Sequence, residues 1–385
     1  MRKHGIAPRW RAAPLLLAML GALIHAGPAQ AVTLPAGFAE KTVFTGLTQP
    51  TAVRFAPDGR VFVAEKRGVI KEFDSLSDTT ARIVADLSTN VHDYWDRGLL
   101  SIAIDPSFPT KNVIYALYSF DAPIGGTAPV YNDACADPTG VGCKIGGRLS
   151  RIVLDGTGTG TGSEQVMIED WCQQYPSHST GGLAFGPDGK LYAGTGDAGD
   201  TSLAQDPSSP NGKILRLEPD GSVPDDNPRD GSPVLSLGHR NVQGLAWDDR
   251  DRLWATEFGQ NTFDEINQIR PGRNYGWPEV EGDGTGGGRF VAPEVTWPTS
   301  EASPSGVAYA DGALYVGALR GQRIWRVPLD GRSAGRPEAL LDGEYGRLRS
   351  VAAVPGGDAL WATTSNRDGR GDPAEDDDRI IRLEP

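Results

Sequence analysis

A histidine and an aspartate bracket one short stretch of this chain. His178 stands in Ser177-His178-Ser179-Thr180-Gly181-Gly182 and Asp197 in Gly194-Thr195-Gly196-Asp197-Ala198-Gly199, with a β-rich run between them. If that run is a hairpin, both residues rise at the same end of it. A carboxylate there fixes the imidazole's tautomer and raises its basicity, as a general base near neutral pH requires. On spacing alone, a surface histidine and a turn aspartate are the commoner outcome. Gly238-His239-Arg240-Asn241-Val242-Gln243-Gly244 crowds hydrogen-bond donors between glycines. Its arginine can stabilise charge on oxygen or pair with a carboxylate, although such loops are more often structural. Glu257-Phe258-Gly259-Gln260-Asn261-Thr262-Phe263-Asp264-Glu265 mixes carboxylates, amides and loop carbonyls. Those are the oxygen donors calcium prefers, without EF-hand spacing, and a solvated acidic loop is an equal reading. Arg320, Arg347 and Arg349 form a basic group, the last two sharing one side of a strand by alternation. Converging on a channel they would suit a polyanionic small molecule; scattered surface arginines are the simpler reading. Asp376-Asp377-Asp378 fits a solvated turn better than a metal site.

These residues need a scaffold, and the chain repeats one. An apolar pair, a Pro/Asp/Gly turn and a short β-rich run recur at 53–63, around Pro57-Asp58-Gly59, and at 183–193, around Pro187-Asp188-Gly189. Looser copies start near Ile102, Leu245, Val307 and Val351, making six. Proline fixes φ, aspartate bonds the local backbone and glycine takes φ > 0, so each copy reads as a hairpin. The copies recur at blade-sized spacings, and the chain has 50 glycines, 29 prolines and no long helical periodicity. Together these predict an all-β chain folded as a six-bladed β-propeller. The last strand, near 379–383, is expected to close the ring on strands near 38–44. A β-sandwich with shared turn chemistry is the competing architecture, and neither fold dictates a function.

The first segment reads as an address. Arg2, Lys3, Arg9 and Arg11 precede an apolar run over 15–24 and the small-residue sequence Ala29-Gln30-Ala31. That is a secretory signal peptide over 1–31, too short in its apolar part for a good membrane span. Residues 32–385 are then one domain, exported to the periplasm or secreted. Cleavage removes four basic residues and leaves 33 against 50 acidic, a net charge of −17. Such a chain is repelled by phosphate backbones, which argues against nucleic-acid partners. Cys135 and Cys143 are able to close a short loop in an oxidising compartment, leaving Cys172 over, but spacing does not settle the pairing.

In order and spacing these segments resemble the soluble quinoprotein sugar dehydrogenases, the glucose/sorbosone dehydrogenase family, from about 37 to 384. The most specific stretches are 178–197, 238–244, Asp264-Glu265-Ile266-Asn267-Gln268-Ile269 and Asn274-Tyr275-Gly276-Trp277-Pro278. The resemblance implies pyrroloquinoline quinone (PQQ) and Ca2+ as cofactors and an aldose as substrate. His178 then matches the base that deprotonates the anomeric hydroxyl, and Asp197 the carboxylate orienting it. Arg240 matches the residue polarising the quinone carbonyl, with Asn241 and Gln243 beside the cofactor. Arg347 and Arg349 match the pair holding its carboxylates, with Thr299 and Arg320 as further contacts. The carbonyls of Gly259 and Gln260 match ligands of the catalytic calcium, while Glu265 and Tyr275 match a second, structural site in some members. Hydride would pass from C1 to the quinone, a lactone would leave, and electrons would go on to an unknown acceptor.

This chain departs from the family pattern in places. Gln260 stands where the calcium loop usually has proline, and Arg320 where some members have lysine. The long insertions of the dimeric glucose-oxidising members are absent, which places the chain nearer the compact aldose dehydrogenases and predicts a monomer with a broad sugar range. Residues 363–378 are unusually acidic. Two other function classes compete. A calcium-dependent lactonase would centre carboxylates on a metal and have no use for Arg240, Arg347 and Arg349. A non-catalytic binding propeller would have no use for His178, Asp197 and Arg240.

Overall fold

Each copy of the turn phrase folds into the first hairpin of a small antiparallel sheet. The first strands of the six hairpins are Pro50–Phe55, Leu99–Ile104, Thr180–Phe185, Val242–Trp247, Pro304–Ala310 and Leu348–Ala353. Their turns close as the composition requires: Gly59 and Gly189 take φ +93° and +74°, and Ala56 and Gly186 bond back to Arg60 and Lys190. The computed structural model describes residues 34, 37–135, 144–155, 163–173, 177–331 and 333–384, all within the compact unit Leu34–Pro385. The leader lies outside them, as do Cys143 and the side chain of Cys172. Cys135 is disulfide-bonded.

Six sheets result, five of four strands and one of five, and the first strand of each packs against those of its neighbours in a ring. This is the expected six-bladed β-propeller, and its only described helix is the single turn Ser202–Gln205. The ring closes where the sequence suggested: Ala39–Phe44 pairs antiparallel with Ile380–Glu384, completing the sixth blade from both ends of the chain. Apolar side chains fill the gaps between blades, such as Phe62 and Ile102 between the first two and Phe44 and Trp361 between the last and the first. Most of the hydrophobic stabilisation therefore lies between sheets, each face of a blade being covered by the next.

Two features bring the inner strands close and shape the axis. Gly181, Gly244 and Gly306 are glycine because a Cβ there would lie 1.6, 2.6 and 2.8 Å from a backbone oxygen of the following blade. Hydrogen bonds then stitch blade to blade, including Thr51 Oγ1 to the Leu99 carbonyl at 2.7 Å and Thr256 Oγ1 to the Ser305 carbonyl at 2.5 Å. In addition, all six inner strands shift register against their partners at the start, at the end opposite the Pro/Asp/Gly turns. Such irregularities release the strand from strict alternation and re-aim side chains. His178, Arg240 and Arg347 stand just before three of these strands.

Candidate active site

His178 and Asp197 lie at the two ends of the third blade's first hairpin, and the fold brings them together. Asp197 Oδ1 accepts from His178 Nδ1 at 2.6 Å and from the Gly199 amide at 2.9 Å, while Oδ2 accepts from the indole of Trp277 at 2.8 Å. His178 takes φ +56°, an uncommon conformation for a side chain of this size. Backbone bonds hold it there: its carbonyl accepts from Ala198, and a Cβ on Gly196 would sit 2.1 Å from that oxygen. Burial opposes ionisation of Asp197, but the bonds from His178, Gly199 and Trp277 outweigh it and keep the carboxyl below its usual range.

Arg240 completes the group from the next blade. Its Nη2 lies 2.7 Å from His178 Nε2, and its carbonyl accepts from the Asp197 amide at 2.8 Å. Every guanidinium nitrogen is a donor, so Nε2 must carry the lone pair and Nδ1 the proton. The tautomer needed for a general base follows from the partners on both sides of the ring. The guanidinium is itself held: Nε and Nη2 donate to Gln260 Oε1 at 2.8 and 2.6 Å, Nη1 donates to the Phe258 carbonyl at 3.0 Å, and the group lies 5.6 Å from the Trp277 ring. Burial lowers its pKa from the ordinary arginine value.

The loop expected to hold calcium is organised by a residue outside it. Glu281 Oε1 accepts from the amides of Gln260, Asn261, Thr262 and Phe263 at 2.8–3.2 Å. Across a trans peptide the carbonyl points opposite to the following amide. The Gly259 and Gln260 carbonyls are therefore turned away from Glu281, and among the described residues neither accepts a backbone hydrogen bond. Two carbonyls freed in this way suit a hard cation. Beneath them Asp264 accepts from the Gly259 and Ser303 amides, and burial pushes it up to about 6. Glu265 bonds Asn267 and the Gly282 amide, and burial with the nearby Glu257 carboxylate pushes it up to about 8. Tyr275 stacks on His239, which bonds Glu257, so it joins Glu265 through that network rather than directly. Among the described residues no group of three or more His, Cys, Asp or Glu side chains is arranged to hold a metal, so a cation here depends on carbonyl donors.

His178, Asn241, Gln243 and Arg349 line one narrow cleft of about 30 Å3 on the axis, and Gln243 and Arg349 also line a second, deeper one with Arg54. Burial pushes Arg349 and the half-buried Arg54 down to about 10. Among the described residues neither has a carboxylate within bonding distance: Arg349 reaches Ser365 Oγ at 3.4 Å, and Arg54 bonds carbonyls and Ser101. The hydroxyls of Ser179 and Thr180, also on the first cleft, are buried without a partner among the described residues. Buried cations short of anions and hydroxyls short of partners form a donor set that fits an anionic, oxygen-rich group.

Other expected residues sit apart from this cleft. Arg347 faces the same carboxylate as Arg349 but is spent on it, bonding Asp368 Oδ2 at 2.9 Å. Thr299 bonds the Asn261 carbonyl at 3.3 Å, packing on the calcium loop, and Arg320 is exposed, acting on Asp264 through its charge. Sequence reasoning missed the side-chain role of Gln260, the indole of Trp277, the cap by Glu281 and the half-buried Arg54. It also missed the pair Asp96–Arg370, joined at 2.8 Å on the rim of the cleft. Trp277 lies within the 274–278 motif, and Arg370 lies in the acidic segment whose composition was its only signal.

The chain is similar to known proteins along most of its length. The profile described as glucose/sorbosone dehydrogenase matches residues 47–381. The PQQ-bound aldose sugar dehydrogenase from Streptomyces coelicolor is 43% identical, covering 91% of this chain and 99% of that one, with a TM-score of 0.78. A putative oxidoreductase (glucose dehydrogenase) from Thermus thermophilus is 38% identical over 90% of this chain and 100% of that one, with a TM-score of 0.77. The aldose sugar dehydrogenase YliI of Escherichia coli is 27% identical, covering 84% of this chain and 89% of that protein. The propeller fold and these similarities together establish that this chain belongs to the glucose/sorbosone dehydrogenase family.

Proposed function

We propose that this chain oxidises aldoses at C1 to lactones, using PQQ and Ca2+. The observation that carries the reading is the His178 ring held between Asp197 and Arg240, with its Nε2 lone pair on the channel. Oxidation of a cyclic aldose removes a proton from the anomeric hydroxyl and a hydride from C1. When bound, the quinone supplies the acceptor for that hydride. His178 Nε2 takes the proton, and Asp197 keeps the ring oriented and stabilises the imidazolium that forms. Arg240 holds a positive charge beside developing negative charge on oxygen, in a site shielded from water.

Arg349 would hold one cofactor carboxylate and Arg347, once released from Asp368, the other, with Arg320, Thr299, Asn241 and Gln243 as further contacts. The carbonyls of Gly259 and Gln260 would hold one calcium, and Glu265 and Tyr275 a second. The cleft beside His178 holds only about 30 Å3, so its lining must part to admit a fused-ring acid. The same reading has residues 1–31 removed on export and 32–385 acting as a single-domain monomer in the periplasm or outside the cell, passing electrons to an unknown acceptor. Among the described residues no helix is long and apolar enough to cross a membrane.

The test is dye reduction by the purified protein with PQQ, CaCl2 and a panel of aldoses, with His178→Ala alongside. Sugar-dependent turnover needing both additions, and falling by roughly 10²–10⁴ in the variant, is expected. Tight PQQ binding without turnover would mean the substrate is wrong. Failure to bind PQQ at all would overturn the dehydrogenase reading.

A further inference from the structure

The propeller carries a third and much larger cleft, of about 510 Å3, between its third and fourth blades. None of its lining residues borders the two clefts on the axis. Its rim includes Asp188 and Asp251, which sit in the Pro/Asp/Gly-type turns of those blades, whereas His178 lies at the other end of the same hairpin. The six-residue strand Thr180–Phe185 separates the two ends, a distance of roughly 20 Å. This cleft therefore has no part in the site described above.

Three aspartates and three arginines line it, so it carries no net charge, unlike the arginine-rich axis. One wall is saturated: Arg216 donates to Asp188 at 2.9 Å, Asp226 at 2.7 Å and the Tyr192 hydroxyl at 3.1 Å. The rest is not. Trp247 is half-buried, meets Tyr192 edge-on at 4.9 Å, and its indole N–H donates to no group among the described residues. Among the described residues the exposed Asp251 carboxylate has no partner, and Gln268 uses its carbonyl on Arg270 at 3.2 Å while its amide N–H groups donate to none. The floor is apolar, from Leu235 and Leu253. An indole over an apolar floor, rimmed by unpaired donors and an unpaired acceptor with zero net charge, selects a neutral ligand. It must have an apolar face and hydroxyls around its edge. We propose that this cleft binds a saccharide, as a site separate from catalysis that holds the protein on oligosaccharide or glycan chains.

The experiment is calorimetric titration of the mature protein, loaded with PQQ and calcium, using methyl maltotrioside and methyl cellotrioside. Their blocked anomeric hydroxyl cannot be oxidised at C1, so binding is read without turnover, and failure of the dehydrogenase reading leaves this test intact. At least one glycoside binds the wild type, His178→Ala binds it equally, and Asp251→Asn and Gln268→Ala each weaken binding about tenfold, leaving aldose turnover unchanged. Trp247→Ala abolishes binding; because Trp247 also packs on Tyr192, the two polar variants keep the test independent of folding. Absence of binding in the wild type, binding untouched by Asp251→Asn and Gln268→Ala, or its loss in His178→Ala overturns the proposal.

Discussion

At the scale of single residues, the site is a chain of groups each of which fixes the next. Trp277 and the Gly199 amide hold Asp197, Asp197 holds the His178 N–H, and Gln260 with the Phe258 carbonyl holds Arg240. Asp197→Asn keeps the shape but reverses the bond, because an amide N–H then faces Nδ1 and drives the proton to Nε2. Turnover is expected to fall by roughly 10²–10⁴ with an unchanged circular dichroism spectrum. A second residue sets an acid limit on stability. Burial works against ionisation of Asp368, but Arg347, Arg370 and Arg349 overcome it and hold the carboxyl below its ordinary value. A carboxylate depressed in the folded state contributes stability that is complete above its unfolded pKa, about 4, and is lost as pH falls through the folded pKa. Asp368→Asn should therefore cost about 3 kcal/mol at pH 7, since it leaves the buried Arg347 unpaired. The gap between wild type and variant in thermal melts should narrow below about pH 4.

At the scale of elements, hairpins are local and their assembly is steric. The turn chemistry of Pro57-Asp58-Gly59 and Pro187-Asp188-Gly189 acts within a few residues, so the strands it joins were legible from the sequence, and so was the pairing of the terminal strands. The glycines of the inner strands carry a different message. A Cβ at Gly181 would overlap the Val242 carbonyl at 1.6 Å, while one at Gly357 meets nothing within 4 Å. Gly181→Ala is expected to destabilise the protein by about 3 kcal/mol or to prevent folding, and Gly357→Ala to lie within about 0.5 kcal/mol of wild type, as denaturant melts will report. Those sequence positions look alike until the neighbouring blade is in place.

For the whole molecule, closure and ligation decide stability. Removing 379–385 deletes the strand that joins both ends of the chain and leaves the sixth blade with open edges. The truncated protein should lose its cooperative melt and aggregate. PQQ and calcium bind only the folded state, so each at a hundred times its Kd adds about 2.7 kcal/mol, a few degrees in Tm. Addition of EDTA should reverse the calcium part and leave the fold, since the core lies between blades and not around a metal.

The sequence by itself determined the six hairpins, because turn residues and alternation act over about twenty positions. It offered closure of the ring by the terminal strands, and a meeting of His178 with Asp197 at one end of a hairpin, which spacing alone made the less common outcome. It also marked Arg240 and the Gly259–Gln260 loop as chemical candidates. Only the tertiary structure decided what those candidates touch. Gln260 binds Arg240 through its side chain, Trp277 reaches Asp197 across 80 residues, and Arg349 lines the channel with only Ser365 as a partner while Arg347 is spent on Asp368. Alternation tells which face of a strand a residue takes; it does not tell which side chain of another blade stands opposite. In a propeller each blade meets its neighbours across faces, and the axis is built from all six, so the partners of a catalytic residue are set by assembly rather than by local order.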